Sequence, residues 1–325
     1  MPIPVDSPTL TLAADDLVDW LELTALFSPF GLARLDALLG SLQELEETAE
    51  DDIGERDRRR EQRIESLENE VEFRRRTLGD TYPFELDESG EELILNENWR
   101  EPRFSFYMIC LITTHVSGST ILALPPTGDL LTQLRNKIFQ IVATLGLAGL
   151  ATGPAFSVGW PRQSRETIIE LLTRAAAMGG GFSVRNPPSA YVSPHEKDGG
   201  VDVIAWTAEG MPPPTAFFFG QTASGRNWRD KPVKEHARVF GQAYMFDHMT
   251  GNRVYVTIIP YRVFDDAFWN TLHQFHMAIL DRLRLPRRAW QGFQLATQGV
   301  SIDGSERVHE LTRWLGEYLD YANAS

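Results

Sequence analysis

The sequence predicts an α/β protein with a mixed sheet, and three observations support this fold class. From about residue 129 onward, helical and extended patterns alternate in the order helix, strand pair, helix, strand. The first part of the chain shows helical patterns around a single hairpin. The 325 residues are 42% hydrophobic and 23% charged, as in ordinary globular proteins with a sizeable core.

Three amphipathic stretches predict helices in the first 80 residues. Asp15 and Asp16 cap the first one, and the second covers about 31–52. The third, at 54–80, carries apolar residues at helical spacing among dense mixed charges, which is typical of a solvated helix.

Residues 82–96 alternate on both sides of a Glu88-Ser89-Gly90 turn, which predicts a β-hairpin. The apolar run at 104–116 fits a buried strand and a buried helix equally well. Pro125, Pro126 and Gly128 then predict a domain boundary. We therefore expect an acidic, mainly helical domain at 1–128 and an α/β domain with a helical tail at 129–325.

The second domain is expected to contain two long helices, a strand pair, a further helix and strand, and a helical end. Their expected positions are helices near 129–152 and 163–178, strands at 200–207 and 214–222, a helix at about 226–246, a strand at 253–261, and helices at 265–276 and 305–322.

The net charge of −14 is distributed unevenly. Residues 1–130 hold 11 Lys and Arg against 28 Asp and Glu, whereas residues 131–325 hold 20 against 17. Because steering follows the local potential, the second part could approach DNA while the first part repels it. We expect the acidic part to bind a protein partner or to restrain the other part.

Cysteine usage and hydropathy limit the protein class. The single cysteine, Cys110, excludes an intrachain disulfide and a thiolate zinc site, and it favours a reducing compartment. The first residues lack the basic and apolar regions of a secretory signal. The uncharged stretch at 138–158 is diluted by polar residues, Gly and Pro154, so it predicts a buried helix. We expect a cytoplasmic protein that does not enter a membrane. The sequence leaves open whether the protein forms a homo-oligomer.

Two short motifs, "GGVDVIAW" at 199–206 and "FFFGQTA" at 217–223, resemble the PD-(D/E)XK nucleases, also called restriction-endonuclease-like. In that family a helix carrying a Glu precedes a strand hairpin, and the second strand carries a metal-binding Asp. The third strand ends in Glu or Gln, then one residue, then Lys. The resemblance covers about residues 130–260 and implies a restriction-endonuclease-like core.

The resemblance assigns catalysis and metal binding to Asp202 and Gln221. Mg²⁺ or Mn²⁺ held by such oxygens would polarise the phosphoryl oxygen and help to form hydroxide. Asp202 lies in an apolar strand, where an unpaired carboxylate is costly, and this favours a metal or Arg partner. The structural alternatives are a strand-edge acid that accepts backbone hydrogen bonds and, for Gln221, an ordinary amide at a strand end.

The lysine position of the family falls on Ala223, which cannot supply a charge. The resemblance therefore implies that Lys231 takes this role, within a helix that starts near Asn227. Lys234 is the fallback. Each of these lysines also fits a solvated helix position.

The Glu of the family's helix is matched by Glu170, or by Glu166 one turn earlier on the same face. In the preceding helix, Gln140 stands where a Glu would be expected. Nucleic-acid binding is assigned to basic residues around Trp228: Arg226, Arg229 and Lys234.

The resemblance implies a metal-dependent endonuclease that hydrolyses phosphodiester bonds of DNA, in restriction or antiviral defence. The alternative is a catalytically inactive nuclease-fold subunit that binds nucleic acid or acts as a scaffold in a complex. Ala223 at the lysine position favours this alternative.

Overall fold

The computed structural model describes residues 4–9, 12–46, 53–116, 121–159, 162, 166–190, 192, 198–230, 233–246, 252–263 and 266–324. Within these ranges the chain is a mixed α/β protein, as the sequence predicts. No helix in this part of the chain has both the length and the apolar character that crossing a bilayer requires.

The N-terminal elements are four helices and a small antiparallel sheet in which β3 lies between β1 and β2. The predicted hairpin forms, and a short strand that was not predicted pairs with it. The undecided run at 104–116 is a helix that begins at a proline, a residue favoured in the first helical turn. These elements are α1 Ala14–Phe27, β1 Leu32–Arg34, α2 Leu35–Glu46, α3 Ile53–Leu78, β2 Phe84–Leu86, β3 Glu92–Leu95 and α4 Pro102–His115.

The C-terminal elements alternate as expected, with additional short strands and one helix that was not predicted, α10. In chain order they are α5 Gly128–Gln133, a π-helical turn Leu134–Ile138, α6 Phe139–Ala151, β4 Ala155–Ser157, α7 Ile168–Ala177, β5 Ser183–Val184, β6 Val203–Trp206, β7 Phe217–Thr222, a 3₁₀ turn Arg226–Asp230, α8 Val233–Tyr244, β8 Met245–Phe246, β9 Arg253–Ile258, α9 Asp266–His276, β10 Ala278–Leu280, α10 Leu285–Thr297, a 3₁₀ turn Ser305–Arg307 and α11 His309–Ala324.

The central sheet has five strands in the order β10-β9-β7-β6-β4. Strands β4, β6 and β7 form an antiparallel meander, whereas β7, β9 and β10 are parallel. Helix α8 lies in the connection between the parallel neighbours β7 and β9, which need such a crossover. The sheet is therefore mixed, as predicted.

Successive residues of β6 contact different helical layers, because strand side chains alternate between faces. Val203 and Ala205 belong to a core that includes α6, whereas Ile204 and Trp206 pack with residues of α7 and α8. Helix α6 also packs against α10. There Gly149 is required, since a Cβ at this position would lie 1.9 Å from the carbonyl oxygen of Arg288.

The first core runs without interruption from α1 and α4 to the central sheet, across the predicted boundary at residue 128. A buried ion cluster also joins the two parts. The carboxylate of Asp19 in α1 accepts hydrogen bonds from Arg74 (2.7 Å), His115 (2.7 Å) and Arg282 (2.6 Å). Burial raises the pKa of Asp19, but the charges of Arg282 and Arg74 outweigh it and hold the pKa well below its usual range.

Candidate functional site

Asp202 directly precedes β6 and lies beside the end of β7. Its backbone N–H donates to the carbonyl oxygen of Gly220 (2.9 Å), and its carboxylate Oδ2 accepts the backbone N–H of Thr222 (2.7 Å). The side chain is half-buried. The carboxylate thus accepts a backbone hydrogen bond at the start of the strand, which the structural alternative includes.

The buried amide of Gln140, in the first turn of α6, holds this strand end together. Its Nε2 donates to Ser157 Oγ and to the carbonyl oxygen of Asp202, each at 3.0 Å. Its Oε1 accepts the Thr222 hydroxyl at 3.1 Å. Gln140, Ser157, Asp202 and Thr222 form what we call the Gln140 cluster.

Little space is left inside the Gln140 cluster. A Cβ built on Gly159 would lie 3.1 Å from Gln140 Nε2 and 3.2 Å from Asp202 Oδ1. The Gln140 amide and the Asp202 carboxylate therefore both lie next to this glycine.

Gln221 was expected to act together with Asp202, and the Asp202 carboxylate accepts a hydrogen bond from the backbone N–H of the next residue, Thr222. Residues of β7 alternate between faces, and Thr222 shares the α6 face with Phe218, as its bond to Gln140 requires. Gln221 therefore shares the opposite face with Phe219. It is only 8% exposed, and its Oε1 has no hydrogen-bond partner among the described residues.

Ala223, at the lysine position of the family, is 4% exposed. It packs with Trp228, Ile259, Leu272 and Ile279 in a separate apolar cluster. An ammonium group here would be surrounded by hydrocarbon. The structure thus fills the place of the missing lysine with apolar side chains.

The prediction that Lys231 replaces the missing lysine falls on a residue outside the described part of the chain. In the described part of the chain, a 3₁₀ turn covers Arg226–Asp230 and helix α8 covers Val233–Tyr244. Lys234 is the second residue of α8, is exposed, and makes no ion pair with any described residue.

His236 was not predicted from the sequence as part of this region. Its ring lies so close to Gly200 that a Cβ built on Gly200 would be 2.5 Å from His236 Nδ1.

Glu170 caps its own helix. Its carboxylate accepts the Thr167 backbone N–H (2.8 Å) and hydroxyl (2.9 Å), and Thr167 Oγ1 in turn accepts the Glu170 N–H. The Thr167 backbone hydrogen bond, with that of its hydroxyl, lowers the pKa of Glu170. Glu166 binds Arg174 at 2.7 Å, and Arg174 also binds Asp303. The pattern Thr-x-x-Glu was the signal in the sequence for this capping role.

The basic residues after β7 surround a buried aromatic ring. Trp228 is in the core, with its ring 5.3 Å from that of His276, so it offers no face to a base. Arg229 is exposed, with its guanidinium carbon 5.7 Å from the Trp228 ring. The backbone of Arg226 lies in the 3₁₀ turn, and its side chain is outside the described part.

The Gln140 cluster does not fit the Mg²⁺ or Mn²⁺ that the resemblance implies. Such hard cations require several oxygen ligands, with carboxylates among them. The cluster has one carboxylate, and the oxygens of Gln140 and Ser157 already accept hydrogen bonds. Across the described residues, no group of three or more His, Cys, Asp or Glu could hold a metal ion.

The chain was compared with protein-family models, with curated proteins and with solved structures, and none of them matches it. Its function is therefore inferred from its own residues and contacts.

Proposed function

We propose that this chain is a nuclease-fold protein that binds nucleic acid and does not cleave it. The order of its elements supports the nuclease-like fold, since α6 is followed by the three antiparallel strands β4, β6 and β7. Asp202 stands at the start of the second of these strands, as the resemblance implies.

The proposal rests on the residues found at two positions, Gln140 and Ala223, where cleavage would require charged groups. Cleavage of a phosphodiester needs a cation that activates water and a positive group that stabilises the developing charge. Gln140 supplies a hydrogen-bonded amide in place of a second carboxylate, and Ala223 is enclosed by apolar side chains. On this proposal, the groups that would react are replaced by a hydrogen-bonded amide and an apolar position.

Nucleic-acid binding is proposed from the charges next to this site. Residues 226–238 contain five Lys or Arg and two Asp or Glu. Arg229 and Lys234, within this segment, are exposed. Exposed cations attract phosphates irrespective of the base sequence, and they make binding depend on salt.

The test is fluorescence anisotropy with labelled DNA duplex, single-stranded DNA and RNA between about 50 and 200 mM salt. We expect Arg229→Glu combined with Lys234→Glu to weaken binding by at least about tenfold and to lower the salt slope by about 2. The matched control, Arg287→Glu with Arg313→Glu, reverses two exposed charges on α10 and α11. Equal loss in both variants, or no binding by the wild type, would contradict the proposal.

A second candidate is the metal-dependent DNA nuclease of restriction or antiviral defence. The observation that favours it is the buried Oε1 of Gln221, because an oxygen without a donor is costly and a cation would satisfy it. If Gln221 binds a metal, Mn²⁺ should raise the unfolding temperature of the wild type and leave that of Gln221→Ala unchanged. Equal shifts in the two proteins would remove this candidate.

A further inference from the structure

We propose that a cleft in the N-terminal part of the protein binds a basic, partly apolar segment of a partner protein. The cleft measures about 1040 Å³ and lies between the α1–β1 turn, the segment that joins β3 to α4, and the end of α11. Ligand pockets for small molecules measure roughly 300–1,000 Å³, so this cleft is large enough for several side chains of a peptide. It is remote in sequence from the Gln140 cluster and does not depend on the nuclease-like fold.

The floor of the cleft is apolar, and its rim carries an exposed aromatic ring. Phe27, Leu95 and Leu319 line it from three different elements. Phe30, at the tip of the α1–β1 turn, is 83% exposed. An aromatic ring beside an apolar floor favours a partner that inserts an apolar side chain.

The walls of the cleft are negatively charged. Among the described residues that line the cleft are the acids Glu85, Glu97 and Asp320 and a single cation, Arg100. The guanidinium of Arg100 lies 4.3 Å above the Trp99 ring. Glu97 and Asp320 make no ion pair with any described residue. Their charges are therefore not neutralised within the described chain, and they complement Lys or Arg of a partner.

The acidic residues of the cleft also indicate which class of partner it binds. Nucleic acid is a polyanion and would be repelled, the more so because residues 1–130 hold 28 acidic against 11 basic residues. Addition of a strand to β3 is also disfavoured, since β3 already pairs with β1 and β2. What remains is recognition by side chains, with cations of the partner on the walls and an apolar residue next to Phe30.

The experiment selects peptides from a displayed random library on the purified full-length protein and measures their affinities by fluorescence anisotropy. We expect the selected peptides to be enriched in Lys and Arg together with an aromatic or aliphatic residue. Glu97→Lys combined with Asp320→Lys should weaken their binding by about tenfold or more. Phe30→Ala should weaken it as well, without changing its dependence on salt.

The control is Glu88→Lys combined with Glu91→Lys, which makes the same charge change at exposed positions of the β2–β3 turn that do not line the cleft. We expect affinities within about twofold of the wild type for this control. The proposal is overturned if the selected peptides are not basic, if no peptide is selected, or if cleft variant and control lose the same affinity. Wild-type-like unfolding curves of the cleft variants exclude misfolding as the cause of a loss.

Discussion

The Ala223→Lys variant, which introduces the lysine of the family that the chain resembles, tests directly whether position 223 is shielded from water. Ala223 is 4% exposed among Trp228, Ile259, Leu272 and Ile279. A longer side chain overpacks the cluster, at about 1–3 kcal/mol, whether it is charged or not. An ammonium group there is also desolvated, which lowers its pKa by up to about 3–5 units when burial is complete.

The desolvation contribution can be isolated with a neutral variant of similar length, Ala223→Met. If burial lowers the lysine pKa by about 3 units, Ala223→Lys should be about 4 kcal/mol less stable than Ala223→Met at pH 7. The lysine variant is the less stable one because the pKa of the buried lysine in the folded state lies below its unfolded value of about 10.4. The difference should be absent above about pH 10.4 and should grow as the pH falls towards the folded pKa.

The assay is urea unfolding of the two variants at about pH 10 and at pH 7, followed by tryptophan fluorescence and by far-ultraviolet circular dichroism. Coincident transitions justify a two-state treatment. His276, whose pKa burial lowers, titrates in both variants and drops out of their difference. Equal stabilities at pH 7 would show that the ammonium reaches water or an acid, and would refute the closed-position reasoning. Mg²⁺-dependent cleavage by Ala223→Lys would refute it as well.

Two further predictions concern buried acids of α1. Asp19→Asn should cost about 3–5 kcal/mol, because it leaves buried Arg74 and Arg282 without their shared carboxylate, whereas Asp36→Asn in an exposed pair should cost under about 1 kcal/mol. Urea unfolding measures both, and a cost for Asp19→Asn as small as the control's would contradict the importance of the cluster. Burial raises the pKa of Asp15 to about 6, above an unfolded value near 3.8, so its ionisation destabilises the fold as the pH rises from about 4 to 6. Asp15→Asn should therefore stabilise the protein by up to about 3 kcal/mol at pH 7 and by little at pH 4, and an equal effect at both pH values would contradict this.

Strong periodic patterns made the larger elements predictable from the sequence. The charged helix α3 and the β2–β3 hairpin follow from helical spacing and from alternation around a turn. The run that forms α4 was ambiguous, because a helix buried almost all round shows no polar face. Strand β4 has only three residues, which is too short for alternation to be recognised.

The candidate site was predictable only in part, because its contacts join distant segments. Asp202 was found from its apolar surroundings, but its carboxylate accepts the backbone N–H of Thr222, one residue after the expected Gln221. Every residue except proline carries a backbone N–H, so the sequence does not reveal which of them a carboxylate accepts. The hydrogen bonds of Gln140 to Ser157 and Thr222 join residues that are 17 and 82 positions apart, so no local sequence pattern predicts them.

The central claim, binding without cleavage, is tested most directly by one incubation analysed in two ways. End-labelled DNA duplex, single-stranded DNA and RNA are incubated with the purified protein and Mg²⁺ or Mn²⁺, with chelator as the control. Each sample is then run on a native and on a denaturing gel. We predict that the protein retards the nucleic acid on the native gel and that the strands remain full-length on the denaturing gel, with metal and with chelator alike. Fragments that appear only with metal, or nucleic acid that migrates freely at every protein concentration, would contradict the claim.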